Sequence, residues 1–338
     1  MTSDRPLLLI TAAFDPARIP ELEQHFEVVT IEPSLAGESL STRGVNDELS
    51  RATALITEID LVDEASLQIA RNLKVVVSCR ANPVNVDLAA CTTRGIPVLT
   101  TPARNAEVTA DFAFTLLLMT VRRAGQAERW LRAGNWSTED VFESYSLFRG
   151  IQLSGRTLGI LGGGAVGRRV LRRARGFGMD VLVYDPFLDA DAFGEEARVV
   201  SLDEVLAGSD IVTMHVPLMD STIGLIGRRE LELMKPGSYL INAARAALVD
   251  EDALVEAVTS GHLAGVGLDV FWTEPVDANH PLLALDTVTV SPHIGGASDD
   301  VIGEHSRIAV AGLEAWLGGD ELINVRNTEV LAGSGEAS

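Results

Sequence analysis

The chain has very little lysine, cysteine or uninterrupted hydrophobic sequence, and each shortage excludes a class of function. Lys74 and Lys235 are its only lysines, and Lys plus Arg total 27 against 48 Asp plus Glu, a formal net charge of -21. A nucleic-acid partner would demand a basic face to neutralise phosphates, so none is expected. Cys79 and Cys91 are the only cysteines, each in or beside an apolar run. That leaves no material for a disulfide scaffold or a cysteine-rich zinc site; both read as buried structural thiols, and no metal is expected. Near the N-terminus the only unbroken apolar stretch is residues 7–10, too short for a secretory core or a membrane span. The expectation is a cytoplasmic protein with no membrane partner.

What is present is enough apolar material, 46% of 338 residues, for a sizeable core and for two domains. Short apolar runs at residues 7–10, 28–31 and 75–77 alternate with longer helix-like segments, the pattern of parallel strands buried on both faces. The alternation restarts at residues 158–161 and recurs at 181–184, 211–214, 239–241, 266–269 and 288–290. This predicts an α/β fold with two doubly wound parallel sheets. Residues 111–123, DFAFTLLLMTVRR, have the apolar density of a buried helix connecting the two sheets. A further helix is expected around residues 303–317, and the Gly-Ser-Gly-Glu composition of the tail, 331–338, predicts fraying.

After the run at 158–161 comes Gly162-Gly163-Gly164-Ala165-Val166-Gly167, then a helical stretch, then a strand ending at Asp185. This is G-x-G-x-x-G in its strand–helix–strand context. Gly162 permits the tight turn, Gly164 lets backbone approach a pyrophosphate, and Gly167 lets helix and strand pack closely. Asp185 stands 18 residues on, counting from 167 to 185, where a carboxylate accepts from ribose hydroxyls and repels a 2′-phosphate. Neither Pro186 nor Phe187 supplies a cation for that phosphate, so NAD is favoured over NADP.

Arg245, Glu274 and His293 fall at or just beyond the carboxyl ends of successive predicted strands, the edge where open α/β sheets bind ligands. Reduction of a 2-keto acid needs a cation for the carboxylate, a proton donor for the carbonyl oxygen, and a partner that keeps the donor charged near neutrality. These three residue types meet those needs in order. His215 and His280 lack a matched acid in their motifs and read as structural or cofactor-lining.

The stretches NVDLAACTTRGIPVLTTP, GRTLGILGGGAVGRRV, HVPLMDSTIGLIG, MKPGSYLINAARAALVDEDAL, GVGLDVFWTEP and SPHIGGAS, in that order over nearly the whole chain, resemble the D-isomer-specific 2-hydroxyacid dehydrogenases. The resemblance implies a Rossmann cofactor domain, residues 104–294, inserted into a flavodoxin-like substrate domain, residues 1–103 and 295–338. It implies that Arg245 binds substrate, His293 performs acid/base catalysis, and Glu274 pairs with His293. It places Asp269, His293 and Gly295 toward the nicotinamide, Val216, Pro217 and Ala243 along the cofactor beside Gly162, Gly164, Ala165, Val166, Gly167 and Asp185, and Arg80, Ala81 and Asn82 in the substrate loop. A homodimer and a small 2-hydroxy or 2-keto acid substrate follow by the same resemblance, and no length remains for an added regulatory domain. The rivals are an NAD-sensing binding module without turnover and a dehydrogenase of a non-standard substrate such as phosphite.

Two departures from the family pattern stand out. Arg245 is followed by Ala246-Ala247 where glycines are usual, and the substrate loop, usually glycine-rich, reads Ser78-Cys79-Arg80-Ala81-Asn82-Pro83-Val84-Asn85. Pro83 removes one N–H, while Arg80 and Asn82 add a charge and an amide. A pocket-facing Arg80 would favour a substrate with a second anionic or polyhydroxylated group, and Arg104-Asn105 could contribute in the same way.

Overall fold

The computed structural model describes residues 5–34 and 36–332. The chain divides into two compact units, one made of Met1–Asn105 with Ser298–Ser338 and the other of Ala106–Ala297.

The first unit is built on five parallel strands, β1 (Leu7–Ile10), β2 (Glu27–Thr30), β3 (Ala52–Thr57), β4 (Val75–Ser78) and β5 (Val98–Thr100), in the order β2-β1-β3-β4-β5. This is the flavodoxin-like order, with its switch point between β1 and β3. Every residue of β1 is buried, because side chains alternate across a sheet that is covered on both faces. Leu7 and Leu9 enter one core cluster and Leu8 and Ile10 the other. Fully burying an aliphatic side chain of this size contributes about 1.5–3 kcal/mol. Cys91 lies in the first cluster and Cys79 in the second, both buried and unpaired, and burial pushes both thiols well above the ordinary range. The helix Asp300–Gly318 packs against β4 and β5 through Ala309, Val310 and Leu313. Beyond it the chain returns to β5: Leu99 bridges Val325, and buried Asn327 accepts from Val98 N–H and donates to Ile96 O. Of the tail read as fraying, residues 331–332 end a short helix, Glu329–Ala332, and residues 333–338 lie outside the described residues.

The second unit has seven parallel strands, β6 (Thr157–Leu161), β7 (Asp180–Tyr184), β8 (Arg198–Val199), β9 (Ile211–Met214), β10 (Ser238–Asn242), β11 (Leu263–Leu268) and β12 (Val288–Val290). Their order is β12-β11-β10-β9-β6-β7-β8, the doubly wound order whose direction reverses between β6 and β9. The expected apolar helix spans Ala106–Val121 and packs on β10, β11 and β12 and on the helix Ala165–Gly176. It reaches β11 at Gly267, where a Cβ would sit 2.7 Å from Thr120 Oγ1 and 2.9 Å from Leu116 Cγ. The bare backbone is what lets the helix lie this close. Among the described residues no helix is long and apolar enough to cross a membrane.

Candidate active site

The reversal between β6 and β9 leaves a crevice at the carboxyl edge of the second sheet, and the glycine-rich turn opens onto it. Gly162 has φ +98°, and a Cβ there would meet the His215 carbonyl carbon and oxygen at 2.7 Å. A side chain is excluded by both conformation and contact. At Gly167 a Cβ would come within 2.0 Å of Gly162 O, so the helix can approach the strand only at glycine. Gly164 caps the helix Ala165–Gly176 without any side-chain bond, and nothing lies within 4 Å of where its Cβ would be. The helix therefore presents uncapped amides and its positive end to open space, a setting suited to a pyrophosphate.

Asp185 closes the far side of this turn. Its Oδ2 accepts from Gly163 N–H at 2.9 Å and its Oδ1 from Phe187 N–H at 3.0 Å, so the carboxylate is fixed against the glycine loop. Val216 and Ala243 are buried beyond β9 and β10, and Pro217 is exposed. The residues present thus fit a dinucleotide.

Beyond the ends of β10, β11 and β12 stand the three ionisable side chains, Glu274 and Arg245 bonded to backbone and His293 to Glu274. His293 Nδ1 lies 2.7 Å from Glu274 Oε2; the carboxylate can only accept, so Nδ1 carries the proton and Nε2 is left for a ligand. Glu274 Oε1 accepts from Phe271 N–H at 3.0 Å. The His293 hydrogen bond holds the Glu274 carboxyl below the ordinary carboxylate range against the opposing effect of partial burial, with smaller help from Phe271 N–H and the Arg245 charge. Arg245 is exposed, with Nη1 donating to Ala244 O at 2.6 Å.

Two sets of supporting contacts were not evident from sequence. Buried Asn242 accepts from Ala244 N–H at 3.0 Å through Oδ1 and donates to Arg245 O at 2.9 Å through Nδ2, clamping the arginine's backbone. The signal was available: an asparagine at a strand end, followed by small residues, builds such a turn onto the N–H two positions on. Asp269, also buried, accepts from Ser291 Oγ at 2.6 Å, Ile294 N–H at 2.9 Å and Gly295 N–H at 2.7 Å. These bonds bracket His293, whose φ is +55°.

His215 and His280 are held by neighbouring groups. Thr213 Oγ1 is 3.1 Å from His215 Nε2, and burial pushes the His215 ring down to about 4. His280 stacks on Trp272, accepts from Leu282 N–H through Nδ1, and therefore donates through Nε2 to Glu251. In the first unit, Arg80 is half-buried while Ala81 and Asn82 are exposed.

Residues 114–295 match the family model described as "D-isomer specific 2-hydroxyacid dehydrogenase, NAD binding domain". The chain is 36% identical to a glyoxylate reductase of Thermococcus litoralis over 98% of its own length and 99% of that protein's. Among solved structures it resembles D-mandelate dehydrogenase of Rhodotorula graminis, with TM-score 0.80 and 28% identity over 95% of this chain and 97% of that one. It also resembles an NADPH-dependent glyoxylate/hydroxypyruvate reductase of Sinorhizobium meliloti in complex with NADP and malonate, with TM-score 0.71 and 30% identity over 97% of this chain and 98% of that one.

Proposed function

The chain belongs to the D-isomer specific 2-hydroxyacid dehydrogenase family, and on that premise we propose that it interconverts a small 2-keto acid, glyoxylate or a near relative, and the D-2-hydroxy acid through Arg245, Glu274 and His293. The observation that carries this reading is the His293–Glu274 hydrogen bond at 2.7 Å, which leaves Nε2 as the free ring nitrogen. When bound, the reduced nicotinamide supplies a hydride to C2. Arg245 pairs with the substrate carboxylate and orients the carbonyl. His293 Nε2 gives its proton to the carbonyl oxygen, and Glu274, held below its ordinary range by the ring it accepts from, fixes that ring in position for the transfer.

The cofactor is held by Gly162, Gly164, Ala165, Val166 and Gly167 at the pyrophosphate and by Asp185 at the ribose, with Val216, Pro217, Ala243, Asp269, His293 and Gly295 along the rest. NAD is preferred to NADP, because the Asp185 carboxylate opposes a 2′-phosphate and its own backbone bonds hold it in place. The second unit is the cofactor domain, and the first supplies substrate ligands from Arg80, Ala81 and Asn82. The protein works as a homodimer. Supporting this, Trp136, Val141, Phe142, Tyr145 and Leu147 are exposed large apolar side chains on one short segment, the kind of surface that marks an association site.

The test is oxidation of NADH and of NADPH, followed by nicotinamide absorbance, against a panel of 2-keto acids with His293→Ala alongside. Turnover in wild type is expected to fall by at least about a hundredfold in the variant, since proton transfer by a positioned group contributes roughly 10²–10⁴-fold. A variant as active as wild type would remove His293 from the chemistry.

A further inference from the structure

At the carboxyl edge of the five-stranded sheet a charged relay ties three strand ends together. Arg104, four residues beyond β5, places Nη1 2.6 Å from Glu58 Oε1, directly after β3, and 2.9 Å from His305 Nδ1 on the helix Asp300–Gly318. His305 Nε2 is 2.7 Å from Ala13 O, beyond β1, and must be the donor to that carbonyl. Its Nδ1 therefore accepts from Arg104, and burial holds the ring below its ordinary range, so it stays neutral.

Nη1 is taken up by the relay, donating to His305 and paired with Glu58, while the N–H groups of Nη2 and Nε have no partner among the described residues. The Arg104 side chain is 19% exposed, so the guanidinium is fixed in place yet open to a ligand. A surface arginine that merely solvates the fold would not be locked this way by a buried neutral histidine. One strand over, Arg80 follows β4, is half-buried, and has no side-chain hydrogen bond or ion pair among the described residues. The two segments are stitched by Thr101 N–H donating to Arg80 O at 3.0 Å. The buried hydroxyl of that same Thr101 is also without a partner among the described residues. Glu58 offsets the charge of Arg104, and Arg80 adds a second guanidinium beside it on a chain of net charge -21.

We propose that Arg104, preset by Glu58 and His305, binds an anion and selects 2-keto acids that carry a second anionic group, a phosphate or a carboxylate. Its free N–H groups form the planar fork that matches either oxyanion. The inference rests on the 2-keto acid reading above, since it assigns the subsite to the substrate.

The test compares kcat/KM within two pairs, hydroxypyruvate against its 3-phosphate and 2-ketobutyrate against oxaloacetate, in wild type, Arg104→Gln and Arg104→Lys. Wild type is expected to prefer the member with the extra anion in at least one pair, and the pair that responds identifies phosphate or carboxylate. Arg104→Gln is expected to shrink that preference by roughly 10- to 100-fold, the loss of a charge-assisted hydrogen bond. Arg104→Lys keeps the ion pair to Glu58, and so the fold, while losing the fork; it is expected to shrink the preference in the same direction. No preference in wild type, or the same preference in wild type and Arg104→Lys, overturns the proposal. Should wild type reduce no 2-keto acid, the parent reading fails, and calorimetry with inorganic phosphate and with malonate decides the subsite separately. Weaker binding to Arg104→Lys than to wild type upholds it as an anion site, and equal binding overturns it.

Discussion

Asp269→Asn is the most informative single change at the candidate site, because three donors converge on one buried carboxylate there. Ser291 Oγ and Ile294 N–H share Oδ1, and Gly295 N–H takes Oδ2. An asparagine oxygen can keep the first two, but its amide then meets Gly295 donor to donor. Two bonds to a charged acceptor become bonds to a neutral one and a third is lost, a cost of about 2–4 kcal/mol. At about 2–4 °C per kcal/mol for a domain of this size, the melting temperature should fall by roughly 5–15 °C. The same bonds surround His293 at φ +55°, a conformation that costs a non-glycine residue about 1–2 kcal/mol and persists only when its surroundings impose it. Once the turn loosens, the ring should leave its place beside Glu274 and kcat should drop about a hundredfold. Calorimetric melting and steady-state kinetics on the same preparation would check both. A melting point within a degree of wild type would show that the carboxylate is not the clamp. A lower melting point with unchanged kcat would show that the clamp does not serve the histidine.

Three further outcomes are expected. Burial holds His215 at about 4 against an ordinary 6.5, so the unfolded chain takes up that proton first. Its contribution to stability is complete above pH about 6.5 and is lost at up to about 1.4 kcal/mol per pH unit as the pH falls toward 4. His215→Gln should flatten that acid-side slope in denaturant titrations, and an unaltered slope would assign it elsewhere. Asp185→Ser should raise the NADP-to-NAD ratio of kcat/KM by at least about tenfold, since the carboxylate that repels a 2′-phosphate is gone; an unmoved ratio places cofactor choice on other residues. Phe142→Asp puts a charge on the exposed apolar segment and should shift the protein toward monomer in sedimentation equilibrium, whereas an intact dimer would locate the interface away from it.

Much of this architecture could be read before any coordinates. The runs at 158–161, 211–214 and 288–290 are continuous and β-rich, and the strands appear there. β3, β5 and β8 were not singled out for local reasons: four of the six residues of β3 are alanine or threonine, β5 has three residues, and β8 has two. Their strand character comes from neighbours that complete the ladder. At the site, the glycine turn announces itself because only glycine tolerates what happens at Gly162 and Gly167. Asn242 gave only a weak signal and Ser291 none, since their task is to bond nearby backbone and polar groups, and asparagine and serine do that in every loop. The relay on Arg104 was equally hidden, because Glu58, Arg104 and His305 are far apart in sequence and become neighbours only when the sheet and helix assemble.

The return of the chain to β5 has a consequence for how the protein is made. Val98, Thr100 and Leu99 are satisfied by Asn327, Asn324 and Val325, partners that leave the ribosome more than two hundred residues later. The second unit is one continuous stretch and can complete itself during synthesis. The first must wait, its β5 edge unpaired and its apolar face uncovered, until the helix Asp300–Gly318 and the residues after it arrive. In that interval the nascent sheet is the part of the molecule most exposed to aggregation and most dependent on chaperones.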